Sequence, residues 1–141
     1  MDQNLILRKL KELKQYVKEL ERFKGQELSN APEQLSTLWA IEHGLQLAIQ
    51  IVIDVGNHIL ASIGETRIED YVDVIDLLGN RKIIPPDFAR SVRDMAGLRN
   101  VLVHEYTVVD LNVVSRVLNH RLGDFLSFAE HIETYLKRQS I

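Results

Sequence analysis

Over long stretches of this chain the apolar positions recur at steps of three and four, and no run alternates apolar with polar, so the pattern predicts helices and no strand. Ile6, Leu10, Leu13, Val17 and Leu20 make one narrow seam with Lys and Glu between them, an amphipathic helix whose Lys9, Lys11, Lys14 and Lys18 form its wet side. Gly25 closes it. Asn30 is placed to cap the next helix, with Glu33 three residues on to complete a capping box and Pro32 in the first turn. That helix runs to about Ser62. Leu38, Ile41, Leu45, Ala48, Ile49, Val52, Ile59 and Ile63 supply a broad apolar face, and Ile51, Ile53 and Val55 extend it almost round the circumference, which predicts burial on most sides.

Gln46, Gln50, Asp54 and His58 interrupt this helix every four residues and so form one polar line along it. A buried polar group left unpaired costs roughly 1 to 3 kcal/mol, so the line needs partners. Either it hydrogen-bonds neighbouring helices or a symmetry mate, or it faces the segment around Arg99 and His104, with Asp54 holding Arg99 or orienting the imidazole of His104 through one ring nitrogen.

Gly64 ends the second helix, and Tyr71, Val74, Ile75 and Leu78 make a short third one stopped by the turn signal Gly79-Asn80. Ile83-Ile84-Pro85-Pro86 is extended, because a residue before proline avoids the helical region, and it either lines a site or packs over the core. Pro86 starts a fourth helix with Asp87 in its first turn. Phe88, Val92, Met95 and Leu102 mark its core side, while Arg93, Gly97, Asn100 and His104 form a separate stripe. Gly97 costs a helix roughly 1 kcal/mol relative to Ala. Close approach of another backbone or of a phosphate would compensate, or the helix simply bends there. Asp110 caps a last helix, whose apolar face runs through Leu111, Val114, Leu118, Leu122, Phe125, Ala129, Ile132 and Leu136, with His120 and His131 off the stripe. Four long helices and a short one describe an all-α, up-and-down helical bundle, a single domain over residues 1–141.

Composition narrows the chemistry. A hydrophobic fraction of 45% with 26% charged residues is that of an ordinary globular protein, which removes any case for disorder. There is no cysteine, which excludes a disulfide framework, a thiolate metal site and a cysteine nucleophile together. No metal-ligand spacing and no Gly-rich phosphate loop is present, so neither metal nor cofactor is expected. The N-terminus opens straight into a helix, and the apolar stretch Leu45 to Val55 is too short to span a bilayer, so a cytoplasmic protein without a membrane role is expected.

The net charge of -3 rules out a basic sheath over the whole surface. The charges are nevertheless segregated. From Gln26 to Asn80 they are nearly all acidic, which suits a basic partner, whereas Arg81, Lys82, Arg90 and Arg93 lead towards Arg99 and can guide a phosphate backbone, Arg90 and Arg93 being the candidate contacts.

The candidate chemistry lies in Arg99-Asn100-Val101-Leu102-Val103-His104-Glu105-Tyr106. At about 100° per residue, Asn100 and His104 share one helix face, and Arg99 and Tyr106 share a second about 140° from His104. One chain thus presents two adjoining polar stripes. A second copy packed against the first would bring Arg and His from both chains into one cleft, which makes a homodimer the expected assembly. Spacing alone suits equally well a hydrogen-bonded structural histidine beside a surface arginine and tyrosine.

The same eight residues carry the pattern R-x4-H-x-Y. Met95-Ala96-Gly97-Leu98 stands before it, and Glu42, Gln46, Asp54 and His58 occupy the helix ahead. In these features the chain resembles HEPN-domain proteins, and in particular the HepT family of toxins encoded beside small nucleotidyltransferase antitoxins. The resemblance covers nearly the whole chain and implies a HEPN-like helical domain acting as the toxin of a type II-like toxin–antitoxin pair. It also implies a metal-independent endoribonuclease, in which an RNA 2'-hydroxyl attacks its adjacent phosphate and leaves a 2',3'-cyclic phosphate and a 5'-hydroxyl. His104 would then serve as base or acid, since an imidazole titrates at about 6.5. Arg99 would meet the developing phosphorane charge, and Asn100 would donate a hydrogen bond or fix the imidazole tautomer. Tyr106 matches the tyrosine to which the partner nucleotidyltransferase transfers adenylate groups from ATP, an anionic adduct that would occupy the phosphate site beside Arg99. The alternative is a non-catalytic helical subunit that binds nucleotide or substrate for a nucleotidyltransferase.

Overall fold

The computed structural model of the chain describes residues 1–103 and 110–139, the side chains of Asn100, Val101 and Val103 excepted. Within them the expected all-α bundle is present. α1 spans Gln3–Glu21, α2 Leu35–Ser62, α3 Tyr71–Asn80, α4 Pro86–Val103, α5 Leu111–Arg116 and α6 Leu122–Gln139. α2 lies at the centre and touches α1, α3, α4 and α6. The seam read from the first helix is fully buried at Ile6, Leu10, Leu13, Val17 and Leu20, and Asp2 caps it by accepting from the Leu5 amide at 3.0 Å.

Two helix starts differ in how they were read. α2 is not capped by Asn30. The residue before a proline is held extended, so Ala31 (ψ 143°) takes the cap position with no side-chain bond, and Pro32–Gln34 forms a 3-10 turn leading into the helix. Ser29 instead accepts from the Ala31 amide at 3.0 Å, a local hydroxyl-to-backbone turn that competes with a capping box. α3 carries the reciprocal box that the sequence reading missed: Asp70 accepts from the Asp73 amide and Asp73 from the Asp70 amide, both at 3.1 Å.

Gly79 does not break α3. A Cβ there would stand 2.6 Å from the Cβ of Ala89, so its lack of a side chain is what lets α3 lie close on α4. The chain turns later, at Arg81 and Lys82, with Lys82 at φ 55°. Ile83 and Ile84 then donate back to the Leu78 carbonyl at 2.9 and 3.3 Å. Both are buried, so of the two roles open to this segment it takes the one in the core. Above it, the carboxylate of Glu65 accepts from Arg67 and Arg81, each at 3.2 Å. Those hydrogen bonds, Arg67 foremost, hold its pKa down at about 2.

The last helix is not one regular α-helix. Asp110 caps it as expected, accepting from the Asn112 amide at 2.9 Å, but residues Val117–Arg121 form a π turn between α5 and α6. Such a turn inserts a residue into the helix and re-aims its side chains. Here Asn119 accepts from the Gly25 amide at 2.8 Å, tying down the end of the α1 loop. Arg121 reaches across to Asp94 of α4 at 3.0 and 3.1 Å, to the Ser91 carbonyl at 3.0 Å and to Asp124 at 2.6 Å. His131, off the apolar stripe, is nevertheless half-buried, with its ring centroid 4.7 Å from that of Phe88.

Among the described residues one helical stretch, Pro32–Ser62, is long and apolar enough to cross a membrane. Its apolar residues Leu38, Ile41, Leu45, Ile49, Ile53 and Ile59 are buried in the bundle core.

Candidate active site

α2 and α4 meet where Arg99 stands opposite Gln50. The Arg99 Nε donates to Gln50 Oε1 at 2.9 Å, and the Gln50 Nε2 in turn donates to Asp54 Oδ1 at 2.8 Å. The other Asp54 oxygen lies 3.8 Å from the ammonium of Lys9 on α1. From α3, the ring of Tyr71 lies under the guanidinium, with Arg99 Cζ 4.3 Å from its centroid, a cation–π contact. Four helices therefore contribute to one chain of contacts: Lys9, Asp54, Gln50, Arg99 and Tyr71.

Of the polar line on α2, Gln50 meets α4 while Asp54 and His58 have partners on or beside α1, and the line is half-buried and not sealed in the core. Asp54 does not touch Arg99, because it lies one helical turn, about 5.4 Å, beyond Gln50 along α2; its hold on the guanidinium passes through the amide. His58, a further turn on, is engaged elsewhere, its Nε2 accepting from the Asp2 amide at 3.1 Å at the start of α1. Gln46 is half-buried on the same line. The backbone of Asn100 belongs to α4. Its side chain, together with His104 and Tyr106, lies outside the described residues, so the pairing of Asp54 with the imidazole does too.

Arg90 and Arg93, the candidate phosphate contacts, are both ion-paired within the chain. Arg93 grips Asp76 of α3 through Nε and Nη2 at 2.7 and 3.1 Å, which raises its pKa above the ordinary arginine value. Arg90 pairs with Asp87 one turn back. Both remain substantially exposed, and with Val72, Ser91, Asp94 and Gly97 they line a shallow groove beside α4. Among the described residues nothing lies within 4 Å of where a Cβ on Gly97 would stand, so none of them makes the close approach that would compensate a glycine there. Glu42, on the α2 face that carries Gln46, has its pKa raised by burial.

Tyr71 and Lys9 are the two participants that sequence reasoning missed. Tyr71 reads as one more apolar residue of α3 and Lys9 as one of several wet-side lysines. Neither carries a signal in its own spacing, because each acts across helices. Among the described residues no group of three or more His, Asp or Glu side chains could hold a metal ion. The arrangement offers a guanidinium clamped on one edge and one face, suited to an anion with planar oxygen geometry.

Comparison with known proteins bears on what that anion is. Residues 6–132 match the family described as ribonuclease HepT-like. The chain is 28% identical over 132 residues to a tRNA nuclease HepT of Aphanizomenon flos-aquae, covering 94% of this chain and 90% of that protein. It is 26% identical over 130 residues to an mRNA nuclease HepT of Shewanella oneidensis, covering 92% and 97%. Among solved structures it resembles a tri-AMPylated HEPN toxin of Shewanella oneidensis in complex with an MNT antitoxin, with a TM-score of 0.81, 26% identity and coverage of 95% and 99%. The fold is shared with the Bacillus subtilis protein YutE at a TM-score of 0.80 and 18% identity, covering 99% and 93%.

Proposed function

The chain belongs to the HepT-like ribonuclease family, and from that premise we propose that it is the toxin of a toxin–antitoxin pair, an endoribonuclease whose catalytic residues are Arg99 and His104. The observation that carries the reading is the placement of Arg99. It is held by Gln50 and Tyr71, and among the described residues its two terminal nitrogens have no partner. The R-x4-H-x-Y pattern places the imidazole of His104 five residues further along.

Cleavage proceeds without a metal. The 2'-hydroxyl oxygen of one ribose bonds to the adjacent phosphorus while an imidazole takes its proton, and the bond from phosphorus to the 5'-oxygen of the next nucleotide breaks as that oxygen receives a proton from a second imidazole. Arg99 neutralises the phosphorane oxygens between the two steps. Two histidines are available if two copies pair through α4, and the open face at Gly97 supports such a homodimer. Asn100 and Asp54 support the site, the latter through Gln50. Arg90 and Arg93 take the flanking RNA backbone by exchanging Asp87 and Asp76 for phosphates. The protein works in the cytoplasm, where its partner is a nucleotidyltransferase antitoxin that adenylylates Tyr106. The adduct's phosphate then occupies the position RNA needs beside Arg99. The modified state of the similar Shewanella oneidensis toxin supports this mode of control.

Purified protein incubated with labelled RNA in excess chelator will yield cyclic-phosphate ends, and Arg99→Ala and His104→Ala will each lose this activity while remaining helical. Addition of the nucleotidyltransferase and ATP will raise the protein's mass by adenylate units, an increase absent in Tyr106→Phe. Wild-type protein that binds RNA or nucleotide yet produces no cleavage would instead identify a non-catalytic binding subunit.

A further inference from the structure

Arg99 is treated differently from the ion-paired arginines of this chain. Arg93 is bound directly by Asp76, Arg121 by Asp94 and Asp124, and Arg67 and Arg81 by Glu65. Those are charge-neutralised pairs that tie elements together. Arg99 meets an amide oxygen, although a carboxylate stands one residue further along the same contact chain. A guanidinium engaged edge-on by Asp54 would share its charge with that carboxylate and compete poorly for a phosphate. Gln50 transmits the hold without the charge.

An amide has a donor end and an acceptor end of nearly equal shape, so something must decide which one Arg99 meets. Asp54 decides it. Its Oδ1 accepts the Gln50 Nε2–H at 2.8 Å, which turns Oε1 towards the Arg99 Nε–H. Lys9, 3.8 Å away, occupies the far side of the same carboxylate. The Tyr71 ring covers one face of the guanidinium. With Nε engaged and one face covered, the plane of the group is set, and among the described residues its two terminal nitrogens keep their hydrogens for a ligand.

The structure assigns Gln50, Asp54 and Tyr71 as positioning residues that aim an un-neutralised Arg99 at a phosphodiester oxygen pair of the RNA substrate. This rests on the ribonuclease reading above and adds to it the reason for a glutamine at position 50. Aspartate orients, glutamine relays, tyrosine stacks, and only Arg99 would touch the substrate.

A mere tether between α2 and α4 would be served as well by glutamate as by glutamine, and that distinguishes the two roles. In Gln50→Glu the acceptor for Arg99 is kept, but a carboxylate oxygen now faces Asp54 in place of the donated Nε2–H, a repulsion that Asp54→Asn in the same chain removes. With both changes thermal unfolding stays near the wild-type temperature, while with or without the second change KM for RNA rises and kcat/KM falls by about ten- to a hundredfold. Gln50→Met loses the hold and lowers kcat/KM to a similar extent. Tyr71→Phe keeps the ring and retains activity, whereas Tyr71→Leu does not. A second readout is independent of cleavage. The Arg99 Nε–H resonance in 15N-labelled protein will be protected from solvent exchange, and an uncleavable 2'-O-methyl oligoribonucleotide will shift the Arg99 signals in wild type but not in Gln50→Glu. Wild-type kinetics in Gln50→Glu, or an Arg99 Nε–H that exchanges as fast as those of exposed arginines, would overturn the assignment. Cleavage that survives Arg99→Ala, together with a protected Arg99 Nε–H in wild type, would refute the ribonuclease site while leaving the clamp geometry standing.

Discussion

At the scale of single residues, what separates the site from its surroundings is how each charge is satisfied. Glu65 shows the structural solution. Its side chain is only 3% exposed, its two oxygens are divided between Arg67 and Arg81, and its carboxyl is held at about 2 against an ordinary value of 4.5. A carboxyl with a depressed folded-state pKa contributes stability that is fully present above its unfolded value and is lost as pH falls through the folded value. The window for Glu65 therefore lies between about 4.5 and about 2. Glu65→Gln is expected to lower stability at neutral pH and to remove much of the pH dependence in that window, read from urea midpoints at successive pH values. An unchanged acid limb would show that the two ion pairs add nothing. Arg99 shows the opposite solution, a cation oriented by neutral groups. Its three-part clamp was half legible: recurrence every four residues singled out Gln50 and Asp54, but spacing assigns residues to a helix face and says nothing of what stands opposite. A direct Asp54–Arg99 contact is one of the arrangements that such a face allows, and one intervening amide takes its place.

At the scale of elements, the π turn at Val117–Arg121 decides more than its length suggests. Apolar steps of three and four continue straight through it, since Leu118 and Leu122 are buried just as a regular helix would bury them. Periodicity therefore cannot reveal it. Its effect is on the polar residues, sending Asn119 to the α1 loop and Arg121 to α4. Arg121→Met keeps the aliphatic stem and removes the bonds to Asp94, Asp124 and the Ser91 carbonyl. Because these groups are partly exposed and screened, the loss should be about 1 to 2 kcal/mol, measured by chemical denaturation. A change within a few tenths would mean that the helices are held together by the apolar interface alone. The start of α2 teaches a similar lesson. Proline constrains the residue before it more firmly than a good capping side chain attracts the chain, so the 3-10 turn that leads into α2 begins after Ala31 and not after Asn30.

At the scale of the whole molecule, the open face of α4 is the feature that a second copy would use. Among the described residues Gly97 has no neighbour within 4 Å of a Cβ position, and it is exposed, so Gly97→Ala should stabilise an isolated chain by about 0.5 to 1 kcal/mol through helix propensity. Gly97→Leu, equally harmless to the monomer, should weaken a dimer that brings two α4 helices together, seen as a lower association constant in sedimentation. A dimer indifferent to Leu at this position would have its interface elsewhere. The groove beside Gly97, with Arg90 and Arg93 on its rim, would then be a surface of the single chain.

From the sequence alone came the helical class, the seam of α1, the broad apolar face of α2, and the motif helix with its arginine. All of these follow from repeats along one chain, because a helix converts spacing into faces without reference to anything outside itself. Only the tertiary structure decided that Gln50 stands between Asp54 and Arg99, that Tyr71 lies beneath the guanidinium, that Gly79 serves packing and not a turn, and that Arg93 answers to Asp76. Each of these joins side chains from different turns or elements, at distances set by how the helices cross and slide against one another. No periodicity within one segment encodes that offset.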